Sequence, residues 1–291
     1  MPSHPGASGT KATACLNPSC GREARKRCSG CKAVRFCGEE CQTLMWGSHK
    51  ALCKSLAKEP AATVLLLDGL GMLGPKNFYT KAVKKALACA GTTVATVDVT
   101  KKPGLFRQVG SALSELRRFT SCIVLGVGSC SYDDAGKEFE ECAYFRERVV
   151  SWVDRGGRFI VQGERGAWPT WFDKPWTFSE YRRTTHDCHA KSVEDVHWCK
   201  WYPEAKGSIT STINVKAVMM EDVAEEDMLF CTTASSVSYS NVFFMAGLSI
   251  EEGLAAVAHG KFGEGSLSFF GDVNAEKDTC TIMAVIARGP Q

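Results

Sequence analysis

The sequence predicts a small cysteine-rich finger followed by a three-layer α/β domain with a mainly parallel sheet. Two observations carry this prediction. Seven cysteines and one histidine with metal-ligand chemistry are concentrated between positions 15 and 53, and beyond residue 60 short all-apolar segments alternate with amphipathic stretches. The composition, 44% hydrophobic and 23% charged over 291 residues, is enough to bury a core of ordinary size.

The cysteine-rich segment has the spacing of a two-zinc module. Its ligand side chains form four local pairs: Cys15/Cys20, Cys28/Cys31, Cys37/Cys41 and His49/Cys53. Two residues this close in sequence can reach one tetrahedral ion, and two pairs complete its coordination. The last two pairs have i, i+4 spacing, which places both ligands on one face of a helix. We therefore predict two closed, structural Zn²⁺ sites, because four protein ligands leave no open position.

Disulfide bonding is the alternative for these cysteines, and it would suit a secreted domain. Residues 1–14, however, are rich in Ser, Gly and Pro and contain no apolar segment like that of a signal peptide. The number of cysteines in the segment is also odd. Zinc is therefore favoured, and the protein is expected to be intracellular, in the cytoplasm or the nucleus.

The residues around the ligands resemble the MYND zinc finger. Residues 35–42, then Trp46, His49-Lys50 and Cys53, contain the aromatic-Cys, Cys-Gln and Trp-x-x-His-Lys-x-x-Cys elements in the order found in that family. Two departures are the four residues between the first two cysteines, where two are commoner, and Met45, where an acidic residue is usual. The resemblance implies a cross-braced fold. One zinc would be held by Cys15, Cys20, Cys37 and Cys41, and the other by Cys28, Cys31, His49 and Cys53.

The same resemblance implies that the finger binds protein partners, typically short proline-containing peptides laid along its surface. Gln42 and Trp46 have i, i+4 spacing, so they would project from one helix face as a polar contact and an aromatic platform. An alternative role for Trp46 is to cover the small core between the two zinc ions. Chelation is expected to unfold residues 15–53 and to leave the α/β domain folded, because zinc supplies the folding free energy of such a finger.

Charge and hydropathy argue against nucleic-acid and membrane partners. Residues 15–53 contain seven basic and three acidic side chains, a formal net charge of +4. Seven thiolates and two Zn²⁺ change this by −7 + 4 = −3, to about +1, whereas a nucleic-acid binder needs a basic stripe. No apolar run approaches the ~20 residues that a membrane helix requires.

Residues 54–60 are predicted to link the finger to a domain at 61–289, with 1–14 as a disordered tail. Pro60 marks the end of the finger helix, because proline cannot continue it. Short apolar segments indicate buried strands, and amphipathic segments, one of them closed by Gly91, indicate helices. The predicted elements are strand 64–68, helix 78–90, strand 94–97, helix 105–119, strand 122–127, helix 138–153, strand 159–162, strands 255–258 and 267–270 joined by a turn at 261–265, and helix 275–287. Apolar strands separated by helices are typical of a parallel sheet covered on both faces, as in Rossmann-like or flavodoxin-like domains.

A glycine-rich segment gives the α/β domain a possible nucleotide site. Gly69, Gly71 and Gly74 directly follow strand 64–68, and Asp98 ends the second strand. In a dinucleotide site such glycines let the backbone approach a pyrophosphate, and the acid binds the ribose. Pro75 and Asn77 instead start the helix near residue 78, with Asn77 as its cap, and leave the glycines in a loop. The alternative to a non-catalytic domain is therefore a nucleotide- or NAD(P)-binding enzyme that the finger recruits to partners.

Segments 64–68, 153–162 and 258–272 resemble class I glutamine-amidotransferase-like domains. Active members of that family have a Cys on a strand-to-helix turn flanked by glycines, and a later His-x-Glu. Here the turn at 163–166 reads Gly-Glu-Arg-Gly, and His259 is followed by Gly260-Lys261. Because a nucleophile needs a thiol or hydroxyl beside a base, amidase chemistry is expected to be absent. The sequence thus predicts an adaptor: a peptide-docking MYND finger attached to a non-catalytic α/β domain.

A Trp-rich insertion at 165–205 contains a second group of potential ligands. His186, Cys188, His189, His197 and Cys199 could bind a metal, since imidazole and thiolate suit several ions. Their spacing fits no known zinc motif, so packing within the insertion is the favoured interpretation. The carboxyl edge of the sheet beside this insertion is where α/β domains usually place ligands.

Overall fold

The fold was taken from a computed structural model, which describes residues 15–68, 78–99, 105–116, 118–127, 139, 141–163, 166, 168–179, 184–190, 211–240, 245–249 and 251–289. The predicted tail at 1–14 and the glycines at 69–74 lie outside these ranges. The helices are α1 (Glu39–Lys58), α2 (Phe78–Cys89), α3 (Leu105–Glu115), α4 (Ala143–Asp154) and α5 (Lys277–Arg288). The strands are β1 (Lys26–Arg27), β2 (Arg35–Phe36), β3 (Val64–Asp68), β4 (Val94–Asp98), β5 (Ser121–Val127), β6 (Arg158–Gly163), β7 (Thr177–Phe178), β8 (Thr184–Ala190), β9 (Thr212–Ala217), β10 (Met220–Glu221), β11 (Met228–Cys231), β12 (Val237–Ser240), β13 (Met245–Ser249), β14 (Ala255–Phe262) and β15 (Gly265–Phe270).

The N-terminal finger is built from a short hairpin and one long helix. Strands β1 and β2 pair antiparallel, and α1 follows them directly. Helix α1 ends at Lys58, before Pro60, which has no N–H to continue the helical hydrogen bonds. Residues 54–58, assigned to a linker from the sequence, are therefore the last turns of the finger helix.

One half of the large sheet is parallel and has the order β4-β3-β5-β6-β15. In chain order these strands run 2-1-3-4-5, an order that also occurs in flavodoxin-like sheets. Helices α2 and α5 cover one face, and α3 and α4 cover the other. Crossover connections between parallel strands are right-handed, so the direction in which the chain moves along the sheet decides which face the connecting helix covers. The direction reverses after β4, and helices therefore cover both faces, which gives the predicted three layers.

The other half of the sheet is antiparallel, so the sheet as a whole is mixed. Strand β14 pairs antiparallel with β15 and continues the sheet through β11, β8, β12 and β13, with β7, β9 and β10 attached to this half. The sequence predicted β14 and β15 and missed β7 to β13. Strand β8 lies inside the predicted insertion at 165–205, and this part of the insertion is a strand of the sheet.

Predicted and observed boundaries differ by four or five residues at two helices and at β14, which was predicted to end at 258 and continues to Phe262. The helix predicted at 105–119 ends at Glu115. Beyond it the Phe119 N–H donates to the Leu116 carbonyl in a turn, and the Thr120 N–H donates to the Thr63 carbonyl. The helix predicted at 138–153 is Ala143–Asp154. The strands of the parallel half agree with the prediction to within two residues at each end.

The finger helix is also part of the α/β domain's outer layer. Helix α1 packs against edge strand β4 and against α3. Its buried residues Leu52 and Leu56 belong to the same apolar cluster as Val97 of β4 and Phe106 of α3. The finger and the domain therefore share one hydrophobic core. None of the helices in the described ranges is long and apolar enough to cross a membrane.

Candidate metal centre and peptide-contact surface

The first site is formed by four cysteines: Cys15, Cys20, Cys37 and Cys41. Their sulfur atoms all lie within 4.8 Å of one another, and Cys37 Sγ is 3.5 Å from both Cys20 Sγ and Cys41 Sγ. A tetrahedral zinc with Zn–S bonds of about 2.3 Å requires S···S separations of about 3.8 Å. The four sulfurs therefore fit one Zn²⁺, and two of the ligands are partly exposed at the surface of the finger.

The second site contains three cysteines and one histidine, all of them buried: Cys28, Cys31, His49 and Cys53. Cys28 Sγ lies 3.7 Å from Cys53 Sγ. His49 Nε2 lies 3.4 Å from Cys28 Sγ and 3.5 Å from Cys31 Sγ, close to the N···S separation of about 3.6 Å for a tetrahedral zinc. His49 thus presents Nε2 to the metal position, and the set fits a closed Cys₃His site.

Each ligand pair is placed by the local structure of the finger. The α1 helix contributes Cys41 to the first site and His49 and Cys53 to the second, while the pair Cys28/Cys31 lies between β1 and β2. Gly30 separates that pair, and a Cβ atom there would lie 2.9 Å from Cys53 Sγ, too close without displacement. Because the ligands of the two sites alternate in pairs along the chain, the finger is cross-braced.

Hydrogen bonds and burial shift the pKa values of several of these ligands. Asn17 Nδ2 donates to Cys41 Sγ at 3.4 Å and Arg22 Nε donates to Cys20 Sγ at 3.2 Å, and the Arg22 bond lowers the pKa of Cys20 to about 6. Burial raises the pKa of Cys31 to about 12, so its thiolate needs a nearby cation to persist at neutral pH. Burial also lowers the pKa of His49, which favours the neutral, ligating imidazole.

The predicted peptide-contact residues lie on the outer side of α1. The Trp46 side chain is 42% exposed, and its ring makes an edge contact with His49 at a centroid distance of 6.0 Å. Gln42, one turn earlier, is half-buried. Phe36, which is 1% exposed, packs on the same His49 imidazole at a centroid distance of 5.9 Å. Trp46 is thus anchored on a zinc ligand and still open to solvent.

The remaining predicted site residues are only partly within the described ranges. Asp98 is exposed at the end of β4, directly beside Asp68 at the end of β3. Gly69, Gly71 and Gly74 lie outside the described residues, as do His197 and Cys199. Cys188 is buried in β8, and the backbones of His186 and His189 pair with neighbouring strands. In the part of the chain that the structure describes, the two finger sites are the groups that could hold a metal.

Gln108 contacts a ligand of the second site, and the sequence did not reveal this contact. It lies on α3 of the α/β domain, and its Oε1 is 3.0 Å from His49 Nδ1. An outer hydrogen bond to a metal-binding histidine commonly fixes its tautomer and orientation. A glutamine 59 positions from its partner has no spacing signature, so only the folded structure connects the two.

Comparison with known proteins identifies the finger. Residues 15–53 match the MYND finger family. A SET and MYND domain-containing protein of Dictyostelium discoideum is 50% identical over 38 residues, which is 13% of this chain and 7% of that protein. Ubiquitin carboxyl-terminal hydrolase 19 of Arabidopsis thaliana is 44% identical over 46 residues, or 16% of this chain and 7% of the hydrolase. The chain thus spans less than a tenth of the length of these relatives.

Solved structures resemble the α/β part weakly. A cytoplasmic protein of Salmonella typhimurium LT2 has a TM-score of 0.47 at 11% identity, covering 78% of this chain and 99% of its own. A β-galactosidase from Bacillus circulans has a TM-score of 0.45 at 12% identity, covering 81% of this chain and 34% of its own. With TM-scores below 0.5, neither defines the fold, and the resemblance to glutamine-amidotransferase-like domains receives no support from the comparisons. The chain carries a two-zinc MYND finger at residues 15–53.

Proposed function

We propose that this protein is a zinc-dependent adaptor whose finger docks short proline-containing peptides on the outer side of α1. The observation that carries the proposal is the placement of Trp46, which is held against a zinc ligand and remains 42% exposed. A ring that is already fixed in place loses little conformational freedom when a partner binds. Tryptophan is also enriched among the residues that dominate binding energy at protein interfaces.

The chemistry of this surface suits an extended proline-rich segment. Such segments adopt a preformed polyproline II helix and dock on aromatic surfaces, so a proline ring can stack on Trp46 while the Gln42 amide bonds a peptide carbonyl. Among the described residues, the exposed large hydrophobic side chains are Leu44, Trp46 and Phe78, two of them on this helix.

The α/β domain, in this proposal, supports the finger and is not catalytic. His259, the histidine compared above with that of the amidotransferase family, is 5% exposed, and its Nδ1 lies 2.7 Å from Oγ of the fully buried Ser268. A buried imidazole–hydroxyl pair has no access to a substrate. The turn after β6 also lacks a cysteine in the sequence, which removes the nucleophile of that chemistry.

Replacing Trp46 with alanine is expected to weaken the binding of proline-containing peptides strongly. The loss should be at least about 2 kcal/mol, roughly 30-fold in Kd, because a central aromatic anchor is removed. The measurement is binding of the full chain to a peptide array in which each proline-containing sequence is paired with a copy that has alanine in place of every proline. Fluorescence anisotropy then gives Kd for the strongest pair, and Gln42→Ala should weaken the same peptide less severely.

Lys54→Ala is the matched control, because Lys54 is exposed on the same helix two turns beyond Trp46. It should bind the peptide as the unmodified chain does. All variants must retain two zinc ions per chain, so that a lost finger fold is not mistaken for a lost contact. Equal affinity for the proline-containing peptide and its alanine copy, or unchanged affinity in Trp46→Ala, would contradict the peptide-docking function.

The placement of Asp98 favours a second candidate function, a nucleotide- or NAD(P)-binding enzyme. Asp98 is exposed at the carboxyl end of the second parallel strand, where dinucleotide-binding domains place the acid that bonds the ribose. On this hypothesis the purified chain should retain a nucleotide detectable by native mass spectrometry, and replacing Gly71 with a bulky residue should remove it. A chain that takes up neither NAD, NADP nor ATP would eliminate the enzyme hypothesis.

A further inference from the structure

The second zinc site is completed by a hydrogen-bond network that leaves the finger. Gln108 Nε2 donates to Ser48 Oγ at 3.1 Å, and the Ser48 hydroxyl donates to the Met45 carbonyl at 3.0 Å. Because the single hydroxyl hydrogen is used on Met45, Ser48 must accept from the amide nitrogen, which fixes the orientation of the Gln108 amide. Gln108 Oε1 therefore faces His49 Nδ1, and Nδ1 carries the hydrogen.

This tautomer is the one that zinc binding requires. With the hydrogen on Nδ1, His49 Nε2 keeps its lone pair for the metal position that is lined by the sulfur atoms of Cys28 and Cys31. Both His49 and Gln108 are 0% exposed, so water cannot replace the amide as the partner of Nδ1. A buried donor left without a partner costs about 1–3 kcal/mol. The orientation and tautomer of His49 therefore depend on Gln108.

The helix that carries Gln108 is held on the finger by further contacts along the same side. Ser111 Oγ donates to the Ala33 carbonyl at 3.3 Å, and Arg107 Nε donates to the Leu16 carbonyl at 3.2 Å. One turn beyond Ser111, Glu115 Oε2 lies 3.0 Å from both Arg27 and Arg35 of the finger hairpin. These contacts fix α3 against the finger, so Gln108 is delivered to His49 by the folded α/β domain.

We propose that Gln108 is a positioning residue for the second zinc site and that the α/β domain thereby controls the affinity of that site. The finger then does not bind its second zinc as an independent module. It reaches full affinity for this ion only when α3 is folded against it. This inference is independent of the peptide-docking function, because it concerns how the metal is held and not which partner is bound.

The test measures zinc affinity site by site in the full chain. Gln108→Leu is expected to weaken the second site by roughly 10- to 100-fold and to leave the first site unchanged, as followed by competition with a chromophoric chelator. Replacing Zn²⁺ with Co²⁺ shows which of the two sites has lost affinity, because the visible absorption of a Cys₃His site differs from that of a Cys₄ site. The spectrum of the second site should also change in the variant, since the imidazole is no longer oriented.

Gln162→Leu is the matched control. Gln162 is also a buried glutamine of the α/β domain, and it accepts from the Gly126 N–H and donates to the Asp272 carbonyl, away from the zinc sites. This variant should destabilise the domain and spare the zinc affinity under conditions in which the chain is folded. Equal weakening of the second site by both leucine variants, or unchanged affinity in Gln108→Leu, would overturn the proposal.

Gln108→Glu keeps the proposal testable if the leucine variant does not fold. A carboxylate accepts the Nδ1 hydrogen and makes the imidazole a stronger ligand, while the Ser48 hydroxyl can turn to donate to it. The second site should therefore hold zinc at least as tightly as in the unmodified chain. A second site weakened by this substitution would contradict the positioning role.

Discussion

Chelation of both zinc ions is expected to loosen the α/β domain together with the finger. Structural zinc contributes about 10–16 kcal/mol of apparent binding free energy in zinc-finger peptides, as much as the ~5–15 kcal/mol that stabilises a typical folded domain. The finger helix α1 provides Leu52 and Leu56 to the core shared with β4 and α3. Unfolding the finger would expose that apolar surface and remove the hydrogen-bond partners of Gln108, which are His49 and Ser48. The sequence alone predicted that the α/β domain would survive chelation; the shared core changes this expectation.

Hydrogen exchange with mass spectrometry provides the measurement and an internal reference. In the chelated full chain, peptides from β4 and α3 should lose protection together with the finger. Peptides from α5 should lose less, because α5 packs on the opposite face of the sheet, away from α1. Re-addition of Zn²⁺ should restore protection in all of them. Protection of β4 and α3 that is unchanged while the finger exchanges freely would show that the finger unfolds alone.

The zinc ligands were predictable because their information is local. Each ion takes two pairs of residues that lie within five positions of each other. The i, i+4 pair His49/Cys53 lies on α1 as predicted, whereas Cys37 precedes the helix, which begins at Glu39, so the same spacing does not place Cys37 and Cys41 on one helix face. What holds the finger on the domain is not local. Gln108, Ser111 and Glu115 are ordinary residues of an amphipathic helix until the chain folds and places them 59 to 88 positions from their partners.

The parallel half of the sheet was predictable from local sequence, and most of the antiparallel half was not. Strands β3, β5 and β6 are buried on both faces, so each contains a run of three or more consecutive apolar residues that stands out from the surrounding helices. Strand β8 reads Thr-Thr-His-Asp-Cys-His-Ala, with no apolar run and no alternation of apolar residues. Its pairing with β9, β11 and β12 depends on long-range contacts, and the parallel pattern could not be extended to it.

Leu56→Ala is expected to cost about 2–5 kcal/mol of unfolding free energy, the range for removing a fully buried leucine side chain. Leu56 is 1% exposed and lies near the end of α1, where the helix packs on the α/β domain. Because the cavity would open in the core common to both parts, the stability of the domain should fall as well as that of the finger. A finger joined by a flexible linker would confine the loss to residues 15–53.

Leu44→Ala makes the same chemical change on the same helix at a position that is 74% exposed, and it should shift stability by no more than about 0.5 kcal/mol. Denaturant unfolding of both variants can be followed by zinc release, which reports the finger, and by far-ultraviolet circular dichroism, which is dominated by the larger domain. In Leu56→Ala both signals should move to lower denaturant by a similar amount. If only zinc release moved, the apolar cluster would not couple the two parts, and the role of α3 in completing the second site would have to rest on the Gln108 hydrogen bond alone.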